Sequence, residues 1–508
     1  MNTTLAVLLC TIGVSFLFYL DRDRSARNSK ALWLPIIWIG IAGSRPVSSW
    51  FGITTPSNVA STLDGSPFDA AILGTLLAMG VIVLLGRRKK ASAYLVLLTP
   101  IVIYFIYGLI SVTWSPYAVP ALKRWTKDLG DLVMVLIIVT DTDPISAIRG
   151  VFSKVGFFLF PFSAVLIRYS TLGRAWDADG YLSIVGVTSN KNMLGLIVWV
   201  ISLGVLWNLR YTFVNKSVSN RGRRLAAQGT LLALGLVLLI VAHSSTSIGC
   251  FLLGAGLMFA THLRAVRSRP SRVHVLCLGI LILGGLIELF GAEGAVASAL
   301  GRQPNLSGRT EMWAAMLPAV TNPMIGVGFD SFWTSPNAQT FHYNLSLLHW
   351  YHPEDINEAH NGYIEVYLDL GWIGVCLMSL ILISGYWRAS KAFRRDPELG
   401  SMILAYIMAG SIYSITEAGF RTLNPVWICL LLAIVTANGV DAGLFGKATR
   451  KARSLRSIGT RRNASREHVE AEIVLPATKM RDNSIHRTAR ENIEAGSFWS
   501  GTFKSEIL

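Results

Sequence analysis

Acidic residues are scarce in this chain. It carries 30 Asp and Glu against 46 Lys and Arg over 508 residues, and charged residues of both signs make up only 15%. With 52% hydrophobic residues beside so few charges, a soluble domain could not cover its apolar surface. Cysteine chemistry is also missing: Cys10, Cys250, Cys277, Cys376 and Cys429 all fall inside apolar runs and show no paired spacing. That argues against a disulfide framework or a thiolate metal site and leaves five small apolar side chains. No repeat of fixed period and no half-chain symmetry of the transporter kind is visible. No basic stretch precedes the first apolar run, so that run reads as a retained segment rather than a cleaved signal.

What the chain does have is a series of apolar runs near the ~20 residues that a spanning helix needs. They cover about 4–20, 31–43, 69–86, 91–113, 119–140, 150–168, 192–208, 225–242, 248–262, 273–290, 362–387, 401–416 and 426–440. The expected fold is therefore an all-α polytopic membrane protein with about 12–13 transmembrane helices. Basic clusters at Arg22–Lys30, Arg87–Lys90, Arg210–Arg224, Arg264–Arg272 and Arg388–Arg395 fall in alternate loops, as the positive-inside rule requires. This places the C-terminus in the cytoplasm and gives the net charge of +16 a topological cause. Nucleic acid is not an expected partner, because the basic residues flank spans rather than line one face. Two regions follow: a membrane domain over 1–442, and a basic tail over 443–508 that is poor in apolar runs and reads as a disordered cytoplasmic extension.

One loop, about 291–361, differs from every other connection and falls on the extracytoplasmic side. It holds His342, His349, His352 and His360, the pair Gly308-Arg309, and the aromatics Phe332, Trp333, Phe341, Tyr343, Trp350 and Tyr351. Ser307 to Val320 has a helical pattern that Ser307 or Thr310 can cap, and Gly326-Val327-Gly328 predicts a tight turn. The histidine spacing matches no zinc pattern, so no metal is expected. His360 stands apart because a following helix pins it, and a neutral imidazole there could take a proton or donate to an oxyanion near neutral pH. The aromatics suit either sugar stacking or a packed loop core.

Cations also collect on this face, against the positive-inside rule: Lys123, Arg124, Lys127, Arg168, Arg174, Lys191, Arg309 and Arg421. Convergence on a phosphate-like anion explains them, as does snorkelling to headgroups.

These residues resemble the O-antigen ligase and polymerase family of bacterial envelope glycan assembly, most closely its exopolysaccharide-production branch. The resemblance covers roughly 75–440. It rests on Ser111-Val112-Thr113-Trp114-Ser115-Pro116 with Lys123-Arg124, on Gly186 to Lys191-Asn192 and Gly195, and on Ser244 to Ser247. It continues through Gly308-Arg309 with Trp313, Gly326-Val327-Gly328, and His360-Asn361 with Glu365 and Gly371. The resemblance implies a GT-C-like glycosyltransferase in the bacterial inner membrane, working on its periplasmic face without metal, nucleotide sugar or other cofactor. The implied partners are an undecaprenyl-pyrophosphate-linked glycan donor, a glycan acceptor, membrane lipids, and chain-length regulator or export proteins. By position, His360 and Arg309 are the catalytic candidates; Arg168, Arg174, Lys191, Arg124, Asn361 and Glu365 are the substrate-binding candidates. Ligases of this family often carry an arginine in the external turn where Ser245 and Thr246 stand here, a departure that favours a polymerase over transfer to lipid A–core. A lipid-linked sugar transporter or flippase is the competing class. It would place ionisable residues near the bilayer midplane, whereas Glu365 and Asp369 sit near the outer end of their helix.

Overall fold

A computed structural model describes residues 3–23, 26–53, 65–176, 180, 182–289, 307–348 and 356–445. The described residues are all-α apart from one small antiparallel hairpin, β1 (Arg174–Trp176) with β2 (Leu182–Ile184), in which Ala175 faces Ser183. The expected tail lies almost wholly outside the described residues, as do His349, Trp350, Tyr351 and His352.

Helix starts follow a recurrent local rule. A small polar residue accepts a backbone N–H and a proline occupies the first turn: Ser66-Pro67, Asp143-Pro144, Ser335-Pro336, Asp396-Pro397 and Asn424-Pro425. The proline costs nothing there, since its missing N–H would have had no helical partner.

Every apolar run found in the sequence is helical, but they are not thirteen equivalent spans. Among the described residues, seven helices are long and apolar enough to cross a membrane, or eight if a bent pair is counted as one. Thr4–Leu20, Lys30–Ala42 and Pro425–Asp441 are apolar but shorter. The run expected over 91–113 is broken: Arg88–Leu97 and Thr99–Trp114 meet at 89°. Pro100, in the first turn of the second helix, explains this, because proline cannot donate to the preceding turn and disfavours helical backbone before it. Helix Ala118–Val139 is long enough to span but carries Lys123, Arg124, Lys127, Asp128 and Asp131.

The centre of the bundle is built from Lys191–Val214, Pro397–Thr416 and Pro425–Asp441, where Trp199, Trp207, Tyr406 and Trp427 are almost fully buried. Buried Asp128 and Asp131 are paired, not stranded. Trp427 Nε1 donates to Asp128 at 2.8 Å, and Trp38 Nε1 donates to Asp131 at 2.6 Å. Basic loops that are remote in sequence meet at one end of the bundle, through Arg87–Asp141 (3.3 Å), Arg224–Asp23 (2.8 Å), Arg388–Asp441 (2.9 Å) and the pairing of both Arg210 and His262 with Glu398.

The long loop caps the opposite end. It forms helix Ser307–Met316, a 3-10 turn over Leu317–Ala319 and helix Pro336–Ser346, around a small core of Met316, Phe332, Trp333, Phe341, Leu345 and Leu368. It docks onto a break in the helix Gly362–Arg395, where Gly371 adopts φ 62° and ψ −165°. Val327 N donates to Leu368 O (3.0 Å), Gly328 N to Asp369 O (2.8 Å), Trp372 N to Pro323 O (2.9 Å) and Ile373 N to Met324 O (3.2 Å). Backbone groups freed by the break are thus satisfied by the loop, at about 1 kcal/mol for each hydrogen bond. The tight turn expected at 326–328 is instead a bent segment between turns at 323–325 and 329–330, paired through its backbone with the broken helix. Gly326 is needed because a Cβ would collide with the Asp369 backbone, and Gly371 because one would collide with Met324.

Candidate active site

The site is assembled where the end of the long loop meets the turn after helix Pro397–Thr416. Asn361 caps the helix Gly362–Arg395 by accepting from Tyr363 N (2.9 Å) and Ile364 N (3.1 Å). His360, the residue before the cap, is held at φ 47°, a left-handed conformation rare for a side chain of this size. Its neighbours enforce that backbone. Ala359 N donates to Glu365 Oε1 (2.7 Å), Ala359 O accepts from Trp313 Nε1 (2.8 Å), and Gly362 N donates to Glu417 O (3.1 Å). Asp330, His243 and Leu423, which also have positive φ, lie at the same end of the bundle. Strain of this kind, about 1–3 kcal/mol per residue, persists only where the surroundings over-determine it.

His360 Nδ1 lies 2.9 Å from Glu358 Oε1 and 3.2 Å from Glu417 Oε2. Arg309 reaches the other oxygen of Glu417 (Nη2 to Oε1, 3.5 Å) and donates through Nη1 to Thr416 O (2.8 Å). Arg421 Nη1 donates to the other oxygen of Glu358 (3.3 Å). Two carboxylates therefore bridge three cationic side chains.

Burial disfavours the imidazolium of His360, but hydrogen bonds and charge from Glu358 and Glu417 outweigh it and raise the group to about 9. Burial opposes ionisation of Glu358 in the same way, yet His360, Arg421 and Arg309 hold its carboxyl down to about 2. Burial works against the Arg421 guanidinium too, and the surrounding carboxylates more than offset it. At neutral pH His360 is thus an imidazolium, which suits donation to an oxyanion, one of the two roles expected from sequence, better than proton acceptance. The five side chains in direct contact are three cations on two carboxylates, and the acidic side chains of Glu365, Asp330 and Asp369 also face Arg421. The cluster is partly open, with the His360 side chain 31% exposed.

Glu358, His360 and Glu417 offer ligand atoms within 4.8 Å of one another and could hold a metal ion. An ion there would have to displace the Nδ1 proton and compete with two guanidinium groups for the same oxygens.

The other sequence candidates divide between this site and other places. Glu365 is almost fully buried and joins Trp333 Nε1 (2.9 Å) to the Ala359 amide, so it braces the His360 turn. Arg124 is 1% exposed and holds the long loop by donating to Asp330 O and to Thr334 Oγ1 (3.4 Å). Arg168 and Arg174 belong to the hairpin patch: Arg174 Nε donates to Ile167 O (3.1 Å), and Arg168 lies 5.9 Å from the Tyr169 ring centre. Lys191 opens helix Lys191–Val214 at the same end of the bundle. Phe332, Trp333 and Phe341 are buried in the loop core, while Tyr343 is exposed. His342 is a loop brace, with Nε2 3.2 Å from Ile356 O.

Glu417 was not found by reading the sequence. Its only signal there is an acid at the outer end of an apolar run, four residues before Arg421.

Residues 230–379 match the family model described as O-antigen ligase. The chain resembles the O-antigen ligase family. It is also 25% identical over 339 residues to the exopolysaccharide production protein ExoQ of Rhizobium meliloti (strain 1021), covering 64% of this chain and 72% of that protein. Both comparisons fall on the O-antigen ligase and exopolysaccharide branch suggested by the motifs. The family match includes Arg309, Glu358 and His360 and ends before Glu417 and Arg421, so folding completes the cluster from outside the matched segment.

Proposed function

We propose that this chain is a membrane glycosyltransferase of envelope polysaccharide synthesis. In this reading it polymerises an extracellular polysaccharide by transferring a glycan from undecaprenyl pyrophosphate to another lipid-linked repeat unit. The observation that carries the reading is the convergence of three cations, Arg309, His360 and Arg421, on Glu358 and Glu417, at the end of the bundle away from the basic loops. That end faces the periplasm, with the C-terminus in the cytoplasm, because the basic loops mark the cytoplasmic side of the inner membrane.

The acceptor hydroxyl oxygen attacks the anomeric carbon, the bond to the pyrophosphate oxygen breaks, and its electron pair leaves with the lipid pyrophosphate. The leaving group gains negative charge, so cations placed beforehand contribute most, about 3–4 kcal/mol for each well-aimed donor. Arg309 and Arg421 hold the pyrophosphate, and the His360 imidazolium donates to it. The hydroxyl proton passes to the Glu417 carboxylate as the cations turn towards the leaving group. No metal is needed for this step, since the three side chains supply the charge.

A cavity of about 500 Å³ at the same end supports a lipid-linked donor. It lies between helices Pro67–Gly86 and Ala118–Val139, with Leu73 and Leu77 on its apolar wall and Lys123 and Lys127 beside them. The test is glycan analysis of a deletion strain complemented with wild type or His360→Ala. Loss of high-molecular-weight exopolysaccharide with intact lipopolysaccharide is expected. Bare lipid A–core would instead identify a ligase, and unaltered glycan with substrate trapped on one leaflet would identify a transporter.

A further inference from the structure

A second polar cavity lies at the opposite, basic end, far from the cluster just described. It has a volume of about 510 Å³ and opens between the end of helix Thr3–Leu20, the first turns of helix Pro144–Tyr169 and the start of helix Arg221–Val241. Its acids are already engaged. Asp23 takes Arg224 Nη1 (2.8 Å), and Asp21 takes Arg224 Nε (3.6 Å) and Gln228 Nε2 (2.8 Å). Two further cations stand on the cavity wall, Arg149 under the charge of Asp23 and Asp21, and Lys154 under that of Asp21 and Asp141. Arg149 donates through Nε to Asn208 Oδ1 (3.2 Å) and stacks 3.6 Å from the Tyr211 ring centre, but its buried Nη2 has no hydrogen-bond partner. The Lys154 ammonium, also on the wall, stands 5.3 Å from the Trp33 ring centre. Asn28 Oδ1 is a buried acceptor on the same wall, likewise without a partner.

A buried guanidinium donor and a buried amide acceptor left unmade both cost stability. A ligand that accepts at one point and donates at another would recover that cost. The floor of the cavity is aromatic: Phe18 and Phe157 line it, with ring centres 5.5 Å apart. They continue outward to Trp33 and Phe158, which are 41% and 45% exposed on the bundle surface. Aromatic side chains at this depth suit the boundary between headgroups and acyl chains.

We propose that this cavity binds the phosphate headgroup of a membrane lipid bearing a free hydroxyl, of the phosphatidylglycerol type. The phosphate sits on Arg149 and Lys154, the headgroup hydroxyl donates to Asn28, and an acyl chain lies over Phe18, Trp33 and Phe158. The bound lipid thereby ties helix Thr3–Leu20 to the bundle at its basic end.

The test uses the purified full-length protein and native mass spectrometry with phosphatidylglycerol titrated into detergent micelles. Wild type should retain one lipid with affinity about tenfold or more above that of Arg149→Gln/Lys154→Gln, corresponding to one charge-assisted hydrogen bond. If the double variant does not fold, as judged by its elution volume and unfolding temperature, Lys154→Gln alone carries the same comparison with a smaller shift. Equal retention by wild type and variants would overturn the proposal. Full displacement by millimolar inorganic phosphate would overturn the lipid assignment, because the aromatic floor would then contribute nothing. Equal retention of phosphatidylcholine would overturn the role of Asn28.

Discussion

His360 Nδ1 lies 3.2 Å from Glu417 Oε2, across 57 residues of chain that include two bundle helices. This contact joins the long loop to the end of helix Pro397–Thr416 and decides the protonation of the histidine. Without Glu417 and Glu358, partial burial would leave His360 neutral near pH 7; with them it is an imidazolium.

Removing the charge of Glu417 should therefore act twice, by taking away the proton acceptor and by lowering the alkaline limit set through His360. Glu417→Gln is expected to lower polymer formation by about 10²–10³-fold. The alkaline limit of activity should move down from near 9 towards the ordinary histidine range. Activity profiles of membranes between pH 6 and 10 check this. An unmoved alkaline limit would show that His360 does not set it.

Arg309→Ala should abolish long-chain polysaccharide while protein level and insertion stay unchanged, and Arg309→Lys should recover part of it. A lysine keeps the charge but loses the fork that reaches both Thr416 O and Glu417. Chain-length analysis by gel electrophoresis reads the outcome. Normal chains in the alanine variant would remove Arg309 from the site.

The same pairs make stability depend on pH at both ends. His360 is raised from 6.5 to about 9, so its contribution is full below 6.5 and is lost as pH rises through 9. Glu358 is lowered from 4.5 to about 2, so its contribution is present above 4.5 and is lost as pH falls towards 2. Unfolding temperature in detergent should fall at both extremes, and the alkaline fall should vanish in His360→Gln.

Gly371→Ala should destabilise the loop docking by more than ~2 kcal/mol, because the added Cβ meets the Met324 backbone and φ is positive. Protease cleavage within 307–348, measured against cleavage at the basic end, should increase selectively. Equal cleavage at both ends would show that the break does not anchor the loop.

Truncation after Gly443 should keep activity, since the cluster of Arg309, His360, Glu417 and Arg421 lies wholly before it. Loss of polymer from stably inserted truncated protein would give the tail a direct role.

Composition and periodicity alone determined the helical membrane class, the grouping of basic loops at one end and the singular long loop. Each follows from local physics: apolar runs of spanning length, charges that flank them, and one segment too polar to enter lipid. The helix opening at Ser307 was equally local and therefore legible. The tertiary structure decided the rest. The break at Gly371 depends on a partner segment some 45 residues earlier that satisfies its backbone. Arg124 and Glu365, which read as substrate-binding candidates, are buried braces in the structure. Glu417 entered the site only because helix Pro397–Thr416 ends beside His360. A histidine's protonation depends on which carboxylates lie within about 4 Å, and residues remote in sequence reach that distance only through packing.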